Sequence, residues 1–161
     1  MPREYFYFLS LIPPMLPVIG NLAAGPWTLL NLLVTMLFWG IDWIAPKSRR
    51  SPAKSWGAVP TIVLVLHIVL HTAGVGTLLY GVTSGHIYRG WIYAAAISTG
   101  INSGFSGINV AHELIHRRSR ALRLLGLWSL MLCGYGRWMI EHVFGHHRRV
   151  ATAADPATAR R

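Results

Sequence analysis

The sequence predicts an all-α integral membrane bundle: about four transmembrane helices, then a surface-lying or re-entrant helix. Three observations carry that prediction. Hydrophobic residues make up 53% of the 161-residue chain and charged residues 12%, about half the roughly 25% of a soluble domain. Four apolar stretches each reach the roughly 20 residues a helix needs to cross hydrocarbon. The basic residues, which leave a net charge of +10, gather in clusters that one topology places together on the cytoplasmic side. The same composition excludes intrinsic disorder, because apolar content is too high. The single cysteine, Cys133, excludes an intrachain disulfide scaffold. In so apolar a chain the positive charge reads as topology, so no nucleic-acid partner is expected.

The first stretch runs from about Tyr5 to Ala24 and contains Pro13, Pro14 and Pro17, which predict a kinked or broken helix. It lacks a small-residue cleavage site and a second stretch, about Pro26 to Ala45, follows directly. It therefore reads as a span in a tight hairpin rather than a signal peptide. The third stretch is about Ala58 to Tyr80 and the fourth about Trp91 to Ala111. Between the second and third, Pro46 to Lys54 carries Lys47, Arg49, Arg50 and Lys54 with no acid, a cytoplasmic signature. Alternation then puts the N-terminus with Arg3 inside, the turn Gly81–Gly90 outside, and the basic stretch His112–Arg123 inside again. A fifth apolar stretch, Ala121 to Ile140, is interrupted by Gly126, Gly134, Gly136, Arg123 and Arg137 and carries Trp128 and Trp138. A helix lying on the surface or dipping in and out fits these residues as well as a crossing does. The small polar tail from Ala151 is expected to be loosely held.

Eight histidines are present, and five lie between His112 and His147. His112 and His116, in HELIH, stand at i and i+4, on one helix face about 6 Å apart along the axis. His142 and His146, in EHVFGHH, repeat that spacing, and regular helical geometry turns His147 off their face. A cationic surface would use arginine, since histidine is mostly neutral at pH 7. Five clustered imidazoles instead predict a metal site of the Fe, Zn, Cu or Ni kind. His67 and His71, inside the third stretch, and His86, in the outer turn, read as packed or hydrogen-bonded residues. HELIH also satisfies HExxH, the zinc-protease pattern with Glu113 as general base. That reading leaves the second cluster idle: five ligands are too many for one open zinc, which takes three protein ligands and a water, and too few for two well-coordinated irons.

HELIH followed by Arg117 resembles the first histidine box of the membrane-bound alkane 1-monooxygenases, usually HELxHK. The stretch from Glu141 to Arg161, EHVFGHHRRVATAADPATARR, resembles their second box and its sequel, EHxxGHHxxVATPxDPxSxR. The early run FLSLIPPMLPVIG is also similar to the start of that family, within the wider desaturase and hydroxylase group. The resemblance implies a non-haem di-iron enzyme of the bacterial inner membrane, with its boxes facing the cytoplasm. It implies O₂-dependent hydroxylation of an alkane's terminal methyl, with electrons from rubredoxin and its NAD(P)H-dependent reductase. By position in the motifs, His112, His116, His142, His146 and His147 match the iron ligands. Glu113 and Glu141 sit inside the matching motifs and are candidates for orienting the imidazoles, with Asp155 a weaker candidate of the same kind. Both boxes must then lie on one side of the membrane, so Ala121–Ile140 does not cross once. The family's third box, of HSxHH type, and a further histidine lie downstream of the second. The chain thus reads as the N-terminal portion of a longer protein: 1–111 transmembrane, 112–161 a cytoplasmic histidine-box region, with little activity expected of it alone.

Overall fold

In the computed structural model, residues 3–44, 58–155 and 157 are described. Every regular element among them is helical. The first apolar stretch breaks as its prolines predict. A 3₁₀ segment, Arg3–Leu11, gives way to α1, Ile12–Ala23. Pro13 and Pro14 fall in the first turn of α1, where their missing N–H groups cost nothing. Pro17 is inside the helix and buried.

The chain reverses at Ala24 and Gly25, with φ of 59° and 55°. A Cβ on Gly20 would stand 2.6 Å from the Trp27 carbonyl oxygen, so only glycine admits the returning backbone this closely. A 3₁₀ turn, Gly25–Leu29, leads into α2, Leu30–Ile44. The basic segment Pro46–Lys54 lies outside the described residues. Then come α3, Val59–Thr83, and α4, Arg89–Asn102. The helix continues past α4 through a π-helical segment, Ser103–Asn109, into α5, Val110–Ile115. The fourth run is therefore longer than its apolar stretch and ends in the first histidine box.

Cross-contacts give the helix directions. Pro17 faces Gly74, and the side-chain amide of Asn21 donates to the Gly74 carbonyl at 3.1 Å and Thr77 at 3.4 Å. Ser10 meets His67, so the N-terminal run and α3 rise together. His67 meets Ser106 and His71 meets Ser103, so α3 and the α4–α5 run are antiparallel. Gly25–Ile44 and Val59–Thr83 are long and apolar enough to cross a membrane, and Tyr7–Ala23 is a shorter apolar helix.

Burial is inverted relative to a water-soluble domain. The interior holds Asn21, Thr28, Asn31, His71, Ser98, Thr99, Asn102 and Ser129, while Leu33, Leu37, Trp39 and Trp43, the last 90% exposed, face outward. Small and polar residues between helices with bulky apolar ones outside suit a surrounding as apolar as leucine. Together with the apolar helices, this makes the protein membrane-associated.

The fifth apolar stretch does not form one helix. Ser119 caps α6, Arg120–Leu132, by accepting from the Leu122 N–H. Its 13 residues span about 20 Å, short of the roughly 30 Å hydrocarbon core. Leu122 packs near Val110 and Leu114, Gly126 against Ala111 and Ile115, Ser129 on the Gly107 carbonyl, and Cys133 beside Ser103. As α6 advances its partners recede, so it runs antiparallel to Ser103–Ile115. At Gly134 (φ 69°) the chain turns and returns through Trp138–Ile140, a second π-helical segment, Glu141–His146, and His147–Arg149. Met139 and Val143 pack on Ala111, Ile115 and Leu130. The excursion and return bring the second box to the level of the first.

Candidate metal centre

His112 lies in α5 and His116 just past its last turn; their ring centroids are 5.0 Å apart. From the returning segment, His142 places Nε2 2.8 Å from Nε2 of His112. The ligating nitrogens of His112, His116 and His142 all lie within 4.8 Å of one another. His147 joins them: its Nε2 is 3.0 Å from that of His142, and its ring centroid is 4.8 Å from that of His116.

This corrects the expectation that His147 points off the shared face. Glu141–His146 is π-helical, so one turn takes more residues and i, i+5 becomes the facing relation. His142 therefore faces His147. His146 turns aside, its Nδ1 2.9 and 3.0 Å from the two oxygens of Asp155. With the carboxylate accepting the Nδ1 proton, Nε2 of His146 keeps its lone pair for a ligand. Asp155 is only 6% exposed and also accepts from the Ala157 N–H at 2.9 Å. The tail expected to be loosely held from Ala151 instead folds back as far as Asp155 to grip the box.

The other two acids have different partners. Glu113 pairs with Arg117 at 2.8 Å and Glu141 with Arg137 at 2.8 Å. Both are i, i+4 pairs on helical turns, so these carboxylates are held by guanidinium groups rather than by ring nitrogens. Trp138 is a site residue that sequence reasoning took for an interfacial anchor. It stacks on His142 at 4.3 Å and 16°, and meets His112 edge-on at 5.4 Å. Its signal was present: Trp138 stands four residues before His142.

The electrostatics favour neutral imidazoles. Burial, then the neighbouring His112, His147, His116 and His146, push His142 down to about 4. Burial, then His112 and His147, lower His116, with Glu113 pulling the other way. His142 and His116 thus present lone pairs at neutral pH, as a metal ligand must. The Asp155 carboxyl is held below its usual range, first by its hydrogen bond with His146 and then by the Ala157 N–H.

The remaining histidines have other partners. His67 bridges Ser10 and Ser106 at 3.0 and 3.1 Å, and His71 bridges Ser129 and Ser103, both at 3.0 Å. His86 Nε2 meets the Leu22 carbonyl at 2.7 Å.

Comparison with known proteins places this site in context. Residues 89–161 match the fatty acid desaturase family. The chain is 29% identical over 170 residues to alkane 1-monooxygenase 1 of Alcanivorax borkumensis, and 30% identical over 170 residues to alkane 1-monooxygenase of Pseudomonas putida. Each alignment covers 98% of this chain and 42% of the relative, so the chain spans less than half of their length. Over 63 residues it is 43% identical to alkane 1-monooxygenase of Acinetobacter baylyi. No solved structure matches. Both histidine boxes lie at one end of the helices, and over nearly its whole length the chain is similar to the alkane 1-monooxygenases.

Proposed function

We propose that this chain is the N-terminal portion of a non-haem di-iron membrane monooxygenase that hydroxylates the terminal methyl of alkanes. The observation that carries the proposal is the meeting of two distant boxes, with Nε2 of His142 2.8 Å from that of His112 and 3.0 Å from that of His147. The donor set fits iron: neutral imidazole nitrogens, one steadied by a buried carboxylate, suit a transition metal and not Mg²⁺ or Ca²⁺. His112, His116, His142, His146 and His147 would hold it, with the rest of the ligands supplied by the remainder of the protein. Bound iron would supply the redox chemistry that activates O₂.

The chain's own residues do the positioning. Asp155 keeps the proton on His146 Nδ1 and so aims Nε2 outward. Trp138 walls His142 and His112 on one side. Glu113, tied to Arg117, is engaged in an ion pair instead of standing as the free base that a zinc protease needs.

The helix directions support four crossings with the boxes on the cytoplasmic side of a bacterial inner membrane, 1–111 forming the transmembrane part and 112–161 the box region. The hairpin of α6 and its return supports a re-entrant excursion. Electrons would come from rubredoxin and its NAD(P)H-dependent reductase. Elemental analysis of the purified chain after anaerobic loading with Fe²⁺ alone, followed by washing, tests the metal assignment. Iron retained, and lost in His112→Ala, supports it. A folded chain that retains no iron overturns it.

A further inference from the structure

Two cavities open between the helices away from the histidine cluster. The larger, about 580 Å³, reaches from Glu113 and Arg117 inward past Val63 and Leu64. The smaller, about 280 Å³, lies among Pro13, Thr35, Phe38, Trp39 and Phe105. Ser10 and His67 line both. They form the partition between the cavities, joined through Oγ of Ser10 and Nε2 of His67 at 3.0 Å. On the far side of the ring, Nδ1 meets Ser106 Oγ at 3.1 Å, and Ser106 also lines the smaller cavity.

We propose that Ser10, His67 and Ser106 form a binding site for the hydroxyl group of an aliphatic primary alcohol whose alkyl chain occupies the smaller cavity. The polarity of the lining decides the ligand class. The smaller cavity is walled by Pro13, Phe38, Trp39 and Phe105, with Ser10, Thr35, His67 and Ser106 as neutral polar groups and no Asp, Glu, Lys or Arg, so it accepts a hydrocarbon chain and at most a neutral polar head. A carboxylate head would be buried there without a cation, which costs far more than a hydroxyl that finds partners. At the partition both ring nitrogens of His67 are engaged, Nε2 with Ser10 and Nδ1 with Ser106, whose hydroxyl also donates to Asn102 Oδ1, so a ligand O–H binds by exchanging with Ser10 at Nε2. The Ser10 hydroxyl already has the Tyr7 carbonyl as acceptor at 2.6 Å, so a ligand hydroxyl can take its place at Nε2 without stranding it. The volume, about 280 Å³, falls just below the range of small-molecule sites, roughly 300–1,000 Å³.

The site stands on cavity geometry alone; its meaning as a holding point for an alcohol product rests on the proposed hydroxylation. The test uses the metal-free chain in detergent, so failure of the oxidation chemistry does not touch it. Quenching of tryptophan fluorescence by 8-bromooctan-1-ol and by 1-bromooctane is compared, with Trp39→Phe defining the component that reports the smaller cavity. The expected result is a saturable Trp39 component whose half-saturation is about tenfold lower for the alcohol, the size of one net hydrogen bond. His67→Phe, and separately Ser106→Ala, should bring the two ligands to within twofold, and 8-bromooctanoate should quench no better than the bromoalkane. Equal half-saturation in the unmodified chain overturns the site, as does an alcohol preference that survives both substitutions or a stronger response to the carboxylate.

Discussion

Replacing His147 distinguishes the observed cluster from the one that regular helical spacing suggests. That spacing pairs His142 with His146 and leaves His147 outside, whereas in the structure Nε2 of His147 stands 3.0 Å from that of His142. His147→Ala therefore removes a nitrogen from a set in which His142 is also 2.8 Å from His112. Asp155→Ala leaves every imidazole in place and removes the acceptor, at 2.9 and 3.0 Å, that holds His146 Nδ1, together with the bond from the Ala157 N–H. Loss of such an outer partner weakens metal binding roughly 10–100-fold. Loss of a ligand should exceed the upper end of that range, so His147→Ala is expected to weaken binding by more than about 100-fold. The assay is a Co²⁺ titration of the metal-free chain in detergent at pH 7.5, followed by visible absorption. Circular dichroism checks that each variant keeps its helices. If His147→Ala binds Co²⁺ as tightly as the unmodified chain, the reasoning from the π-helical turn is wrong.

Three further outcomes follow from packing and charge. Gly126→Leu should lower the thermal midpoint in detergent by overpacking worth about 1–3 kcal/mol, because even a Cβ there would meet Ala111 O, Ile115 Cγ2 and Leu114 Cβ at 3.1 Å; an unchanged midpoint argues against the close α5–α6 contact. Asn21→Leu should cost about 1–2 kcal/mol in a detergent-denaturation titration, since its amide joins α1 to the Gly74 carbonyl of α3 and to Thr99 of α4 at 3.1 and 3.2 Å. A variant as stable as the parent would remove Asn21 from the forces holding the bundle. Without metal, stability should fall as pH drops from about 6.5 toward 4. His142 stays neutral in the fold down to about 4, while the unfolded chain takes up its proton near 6.5. The Asp155 contribution has the same sign, being present above the unfolded value and lost only at lower pH, as the depressed folded value is crossed. Denaturant midpoints at pH 7.5, 5.5 and 4.5 check this, and His142→Ala should flatten the slope; an equal slope in that variant would assign the effect elsewhere.

The linear pattern alone determined the helical class, the broken first helix and the five clustered histidines. Those features are local: proline removes a backbone donor, apolar run length sets what can span hydrocarbon, and residue type sets ligand chemistry. Tertiary structure decided which imidazoles meet. Spacing on a regular helix assigned His142 and His146 to one face, but the π-helical turn at Glu141–His146 gave that face to His147 and sent His146 to Asp155. It also decided that Ala121–Ile140 breaks at Gly134, because the glycine takes a positive φ and the returning segment can pack on Ala111 and Ile115. Hydropathy sums composition along a window and cannot register a reversal inside it. Nor could it place Ser10 against His67, 57 positions apart, since that contact exists only once the N-terminal 3₁₀ segment and α3 lie side by side.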